Sequence, residues 1–298
     1  MSFALRYALH LGYAPPAFRP QFLATVGTRQ PGAHIEFAAE NGFAGIFDPW
    51  AMGRPEAELR GIRSALTEQG LSSSSIVCVP SSELTAPWWA DSTLSGRRRI
   101  EEYVRRACTV AVSLGSSLLA ALVVGDGTES DTERQLDNAA ANLNAAGAIA
   151  GDHGLRLGIE PMTVLPHMLV QSAAEAVGLV ARTGQPAVGI LFDTAHVATS
   201  DGDLVRAYQA ARGHVVSIQV VDLPGRVEPG AGKLELIDVV AEAIRTGYDG
   251  LIDLEHQWAN LTREGERTGL QRIRAFDEQV TRALRVDAAS GERHGAAS

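Results

Sequence analysis

The 298-residue chain has two cysteines, Cys78 and Cys108, too few for a disulfide framework and, with no second pair, too few for a thiolate metal site. Both are expected to be buried small hydrophobes. Long apolar runs are missing too. The strongest, "LLAALVV" at 118–124, is far too short to span a bilayer, and the opening "MSFALRYALHLGY" lacks a basic segment followed by a long apolar one. No membrane partner and a cytoplasmic location are therefore expected. Positive charge is scarce: 26 Lys and Arg against 35 Asp and Glu leave a formal net charge of −9. Such a surface repels a phosphate backbone, which argues against nucleic acid and favours a small polar ligand. Finally, neither G-x-G-x-x-G nor G-x-x-x-x-G-K-[ST] follows any predicted strand, which removes the usual glycine turns for dinucleotides and nucleoside triphosphates.

What is present is an alternation. Short apolar runs recur every 30 to 40 residues: "FALRYALHL", "GFAGIFD", "SSIVCVP", "SLLAALVVG", "LRLGIEP", "VGILFDT", "VVSIQVV" and "GLIDLEH". Between them, "HIEFAAENG", "RRRIEEYVRRACTVAVSLG", "TERQLDNAAANLNAAGAIAGDHG", "SAAEAVGLVARTG" and "LIDVVAEAIRTG" place apolar residues three and four apart and often close on glycine, as amphipathic helices do. Eight strand-helix units in about 260 residues predict a single-domain (β/α)8 TIM barrel over 1–285. The serine run 72–75 is expected as the loop entering the third strand, and 286–298, with little apolar content, as a mobile tail.

In such a barrel the loops at the C-terminal ends of the strands build the site. The fifth predicted strand ends in Glu160, the sixth in Asp193, the seventh carries Gln219, and the eighth ends in Glu255. Each has a plainer explanation: Asp193 as a helix N-cap, Glu160 as a helix-start acid before Pro161, Glu255 as a solvated strand end. Gln219 is harder to explain away, because an amide inside "VVSIQVV" needs partners. Their coincidence on four neighbouring strands brings three carboxylates together, an arrangement that calls for a cation. Hard oxygen donors suit Mg2+ or Mn2+.

The segment "IQVVDLPGRVEPGAGKLEL", followed by "GYDGLIDLEH" and preceded in order by "IEP" and "FDTAH", resembles the hydroxypyruvate isomerase branch of the xylose isomerase-like sugar isomerase and epimerase superfamily. The likeness runs over about residues 3–280 and is strongest over about 155–258. It implies that Glu160, Asp193, Gln219 and Glu255 are metal ligands and that Glu160 and Glu255 are also the catalytic acid and base. It further implies that His196 and Arg226 contact substrate oxygens, with Glu228 in the same loop. Two positions depart from the branch: Asp48 in "IFDPW" stands where a glutamate and aromatic run is expected, and Ser217 where histidine is common. Trp88 and Trp89 are left between a pocket wall, an oligomer contact and a packed surface pair, and His10, Asp126 and His167 fall near the predicted rim without a role.

The resemblance implies a metal-assisted aldose-ketose isomerase acting on a sugar or short hydroxy-oxo acid through an enediolate. A ketose 3-epimerase or a sugar or oxo-acid dehydratase on the same scaffold begins with the same proton abstraction and stays open, as does homo-oligomerisation. A multi-zinc endonuclease would need more histidines and a basic groove than eight His and an acidic chain provide. A non-catalytic ligand-binding barrel sits poorly with an intact ligand set.

Overall fold

The computed structural model describes residues 2–14, 17–128 and 131–295. Its centre is one parallel sheet of β1 (Tyr7–His10), β2 (Gly45–Phe47), β3 (Ser72–Ser73), β4 (Ile76–Val77), β5 (Leu118–Ala121), β6 (Arg156–Ile159), β7 (Val188–Asp193), β8 (Val215–Gln219) and β9 (Ile252–Leu254). Hydrogen bonding runs in the order β3-β2-β1-β9-β8-β7-β6-β5-β4. The two ends of that order, β3 and β4, are consecutive in the chain and separated only by Ser74 and Ser75. One interrupted strand thus pairs with β2 through its first half and with β5 through its second, and the sheet closes. Ser74 N–H donates to Ile46 O and Val77 N–H to Pro49 O across the seam. The serine run is therefore part of the barrel wall and not a loop leading into it.

The helices follow the periodic segments closely: α2 (Pro31–Glu40), α4 (Leu94–Leu114), α5 (Thr132–Asp152), α6 (Ala173–Thr183) and α9 (Leu236–Arg245). In α9 the buried residues Leu236, Val239, Val240 and Ala243 form one stripe at helical spacing, which turns inward and leaves Asp238 exposed. A capping box between Ser172 and Glu175 starts α6, and Thr93 caps α4 by accepting from Gly96 N–H. Between these lie α1 (Leu23–Val26), α3 (Glu56–Gln69), α7 (Thr194–Ser200) and α8 (Leu204–Ala211). The last helix, α10, runs Arg263–Gly295 and so enters the segment expected as a tail from 286; residues 296–298 lie outside the described residues. Among the described residues no helix is long and apolar enough to cross a membrane.

Cys78 and Cys108 are both free and buried, as expected of small hydrophobes. Trp89 is core, 1% exposed, and the half-buried Trp88 donates its indole N–H to Glu83, so neither tryptophan lines the cavity at the barrel mouth.

One packing detail positions the site. The register between β7 and β8 shifts between Ile190 and Leu191, leaving Val216 as an extra residue on β8. A Cβ at Gly189 would come within 2.4 Å of Val216 Cγ1 and 2.5 Å of His214 O, so only glycine admits this bulge. Beyond it, Asp193 and Gln219 sit level with each other on adjacent strands.

Candidate active site

At the C-terminal end of the strands lies a cavity of about 320 Å3 whose lining includes Glu160, His196, Gln219, Arg226 and Glu255. Asp193 stands just behind them, fully buried and bonded to Arg226. Five of the seven expected residues thus share one cavity and a sixth, Asp193, backs it.

Asp193 is the helix N-cap that its position allows, and its two oxygens divide their partners. Oδ1 caps α7 by accepting from the N–H groups of Ala195 (2.7 Å) and His196 (3.0 Å), while Oδ2 accepts from Arg226 Nη2 at 3.0 Å. Because the cap fixes the first turn of α7, it also fixes His196, whose Nε2 lies 3.9 Å from both Glu160 Oε1 and Asp193 Oδ2. Thr194 Oγ1 donates to Val221 O and accepts from Val221 N–H, which locks the ends of β7 and β8 together beneath the cavity.

Arg226 is the local cation. Its Nη2 reaches Asp193 and, at 3.2 Å, Glu255 Oε2, its Nη1 lies 3.2 Å from His196 Nε2, and its guanidinium stands 5.9 Å from the Tyr13 ring centroid. Its backbone has φ +51°, a strained conformation for a residue with a Cβ, held by the Asp222–Val227 bridge on one side and by Gln257 N–H donating to Arg226 O on the other. Asp222 organises the whole loop: its carboxylate accepts from the N–H groups of Leu223, Gly230, Gly232 and Leu234 at 2.9 to 3.0 Å. A Cβ on Gly232 would collide with Asp222 Oδ1 at 2.3 Å, which explains that glycine of the P-G-x-G segment. Sequence reasoning quoted Asp222 without giving it a role; an aspartate followed by two closely spaced glycines in one loop is the available signal.

Glu228 is not brought to the cavity. It is 1% exposed, accepts from Ala259 N–H at 2.8 Å and is ion-paired to Arg272, so it ties the loop to the segment after β9 and to α10. The resemblance puts it in the substrate loop with Arg226, but its bonds to Ala259 N–H and Arg272 hold it away from the cavity. Asp253 is a fourth acid at this end of the barrel, buried, bonded through Oδ2 to Ser74 Oγ at 2.7 Å, and pushed by burial up to about 8. Neither His10, Asp126 nor His167 lines the cavity.

Three carboxyls meeting one guanidinium cannot all ionise at ease. Burial, then the Asp193 charge, push Glu160 up to about 8, and burial with the Glu160 charge holds Glu255 well above the usual carboxylate range. For Asp193 burial acts in the same direction, but Arg226 and His196 outweigh it and hold this group down at about 2. A bound divalent ion fits these residues. Donor atoms of Glu160, Asp193 and His196 lie within 4.8 Å of one another, and Gln219 Oε1 is a buried acceptor with no hydrogen-bond donor, as a ligand oxygen facing a cation would be. His196, expected only as a substrate contact, belongs to that cluster.

His10 supports the neighbouring wall and carries a pH dependence. Its Nε2–H donates to His256 O at 3.0 Å and its Nδ1 accepts from Gly12 N–H at 3.1 Å, so a second proton would face a donor. Burial above all lowers it from 6.5 to about 3, against the opposing pull of its hydrogen bond to His256 O and with smaller help from the nearby His256 and His34 imidazoles. A folded pKa below the unfolded one means that the unfolded chain binds the extra proton. The contribution of His10 is then complete above about 6.5 and is lost as the pH falls towards about 3. Urea unfolding should show stability dropping between about pH 6.5 and about pH 4, with a shallower slope in His10→Asn; equal slopes would refute the assignment.

A carboxylate-rich mouth on a closed (β/α)8 barrel, with donors able to hold a divalent ion, defines a barrel enzyme. Residues 35–276 match the family described as the xylose isomerase-like TIM barrel. A provisionally named hydroxypyruvate isomerase from Streptomyces coelicolor is 30% identical over 235 residues, covering 74% of this chain and 83% of that protein. A 2-oxo-tetronate isomerase from Pectobacterium atrosepticum is 27% identical over 208 residues, 67% of this chain and 77% of that one. Among solved structures, a D-allulose 3-epimerase from Methylomonas sp. shares the fold at TM-score 0.73 and 17% identity, over 94% of this chain and 100% of that one. The chain belongs to the xylose isomerase-like TIM barrel family and is an enzyme of the isomerase class.

Proposed function

We propose that the protein removes a proton from the carbon next to a carbonyl and returns one to the former carbonyl carbon or to the opposite face of the same carbon, isomerising or epimerising a sugar or short hydroxy-oxo acid through an enediolate. One observation carries this reading: Glu160 and Glu255, both raised by burial, line the same cavity beside Arg226 and His196. A carboxyl with a raised pKa is basic enough to take a carbon-bound proton and acidic enough to return one. In this scheme one glutamate removes the proton and the other delivers it, Arg226 donates to a substrate oxygen, and His196 orients a second. The opposite wall, with Phe47, Trp50, Leu122, Met162 and Leu165, keeps water from the carbanion-like intermediate.

Glu160, Asp193, Gln219 and Glu255, joined by His196, would hold a divalent ion, Mg2+ or Mn2+ by the hardness of their donors. Such an ion supplies, when bound, the Lewis-acid charge that stabilises an enediolate.

Elimination of water next to a carbonyl begins with the same proton abstraction, so product analysis has to accompany exchange. Incubation with a panel of ketoses and hydroxy-oxo acids in heavy water, followed by NMR, should show deuterium entering the carbon next to the carbonyl as isomer or epimer forms. A dehydrated product would move the assignment to a lyase, and no exchange with any member of the panel would overturn it.

A further inference from the structure

A second cavity of about 440 Å3 adjoins the first, and Trp50 and Val77 line both. It is formed chiefly by the segments after β2 and after β4, and its lining includes Asp48, one of the two positions where the chain departs from the branch it resembles. That residue is 2% exposed and binds Arg54 through both oxygens, to Nε at 2.6 Å and Nη2 at 3.0 Å, while Arg54 Nη1 takes Glu58 at 2.6 Å. Every terminal group of Arg54 is thus committed, and among the described residues no other ionisable side chain lines this space. Two carboxylates on one guanidinium leave the wall with a net negative charge, which repels a carboxylate or phosphate, and since Arg54 takes both Asp48 oxygens the acceptors left for hydroxyl groups are Glu58, Ser81 and Ser82. The rest of the lining is aromatic and aliphatic: Phe18 and Trp50 meet edge to face with centroids 6.3 Å apart, and Met52 and Val79 lie nearby. Apolar faces with a few convergent acceptors suit the C–H face and hydroxyl rim of a sugar ring.

We propose that this cavity is a distal subsite for a second, uncharged sugar ring, so that the substrate is a glycosylated ketose whose free hydroxy-ketone end enters the reaction cavity. The inference rests on the proposed reaction for the identity of that end. Gly53 and Ser82 allow a test away from the reacting groups. Both line the second cavity and are exposed, and a Cβ at Gly53 meets no atom within 4 Å, so bulk can be added there without displacing the protein.

Calorimetric titration of the full chain, loaded with Mn2+, should compare D-fructose with three glucosyl- or galactosyl-extended ketoses: isomaltulose, leucrose and lactulose. At least one extended ketose should bind about tenfold more tightly than D-fructose. That gain should vanish in Gly53→Phe or in Ser82→Trp, with D-fructose binding changed by less than about twofold. The subsite is refuted if no extended ketose surpasses D-fructose, or if both plugs weaken D-fructose to the same degree. Preference for the extended sugar without deuterium uptake in heavy water would leave the subsite standing and remove the proposed reaction.

Discussion

Glu160→Gln and Glu255→Gln should each lower turnover by about 10²- to 10⁴-fold, the span that a positioned general acid or base contributes. Glutamine keeps the size of the side chain and most of its hydrogen bonds but can neither accept the carbon-bound proton nor return it. The two substitutions differ in what they do to their surroundings. Glu255→Gln weakens a partner of Arg226 Nη2, which keeps its bond to Asp193, whereas Glu160 has no direct bond to that guanidinium. Folding should survive both, since each replaces a buried carboxyl raised by desolvation with a neutral isostere. The measurement is deuterium exchange and product formation, with bound metal quantified in the same samples, so that loss of a ligand is separated from loss of a base. Full turnover in either variant would end the assignment of that residue.

The barrel was largely legible in the sequence because its cues are periodic. Apolar runs and amphipathic segments with glycine stops need only local reading, and α4, α5, α6 and α9 begin and end within a few residues of their predicted segments. The third barrel strand was misread at its start because four serines look like a turn. In fact Ser72 and Ser73 pair with β2, the next two residues break the ladder, and Ser74 turns its hydroxyl inward to Asp253. That contact joins residues 179 apart, beyond the reach of any local pattern. The same holds for Glu228, whose partner Arg272 lies on α10.

For the candidate site, strand-end reading brought together the residues that stand on the barrel itself. Glu160, Asp193, Gln219 and Glu255 end or follow strands whose hydrogen-bond neighbours are fixed by the barrel. It failed where loops supply the wall. Asp48 and Arg54 meet because a short 3-10 turn at Ala51–Gly53 brings residues six apart together, and Tyr13 and Trp50 join through the indole N–H donating to Tyr13 O at 2.7 Å. Neither contact has a sequence period, and both shape the space that a substrate would occupy.

Chelation should abolish turnover, and Mn2+ should restore it, if charge in the carboxylate cluster is what stabilises the enediolate. Arg226 makes the test sharper, because its Nη2 occupies Asp193 Oδ2 and Glu255 Oε2, oxygens that an ion held by those two residues would draw on. Replacing it by Gln removes a positive charge from the ion's neighbourhood and frees those oxygens, so Mn2+ affinity should rise even as turnover falls through loss of a substrate contact. The stability of the chelated variant should move the other way: Asp193 is fully buried, and depriving a buried charge of its partner costs on the order of 3–5 kcal/mol, most of which added Mn2+ should return. Calorimetric Mn2+ titration together with urea unfolding, with and without the ion, reads all three effects. If wild type stripped of divalent ions keeps its full rate, the glutamate pair works without an ion; if Arg226→Gln binds Mn2+ more weakly, the guanidinium is an aid to the cation site and not its competitor.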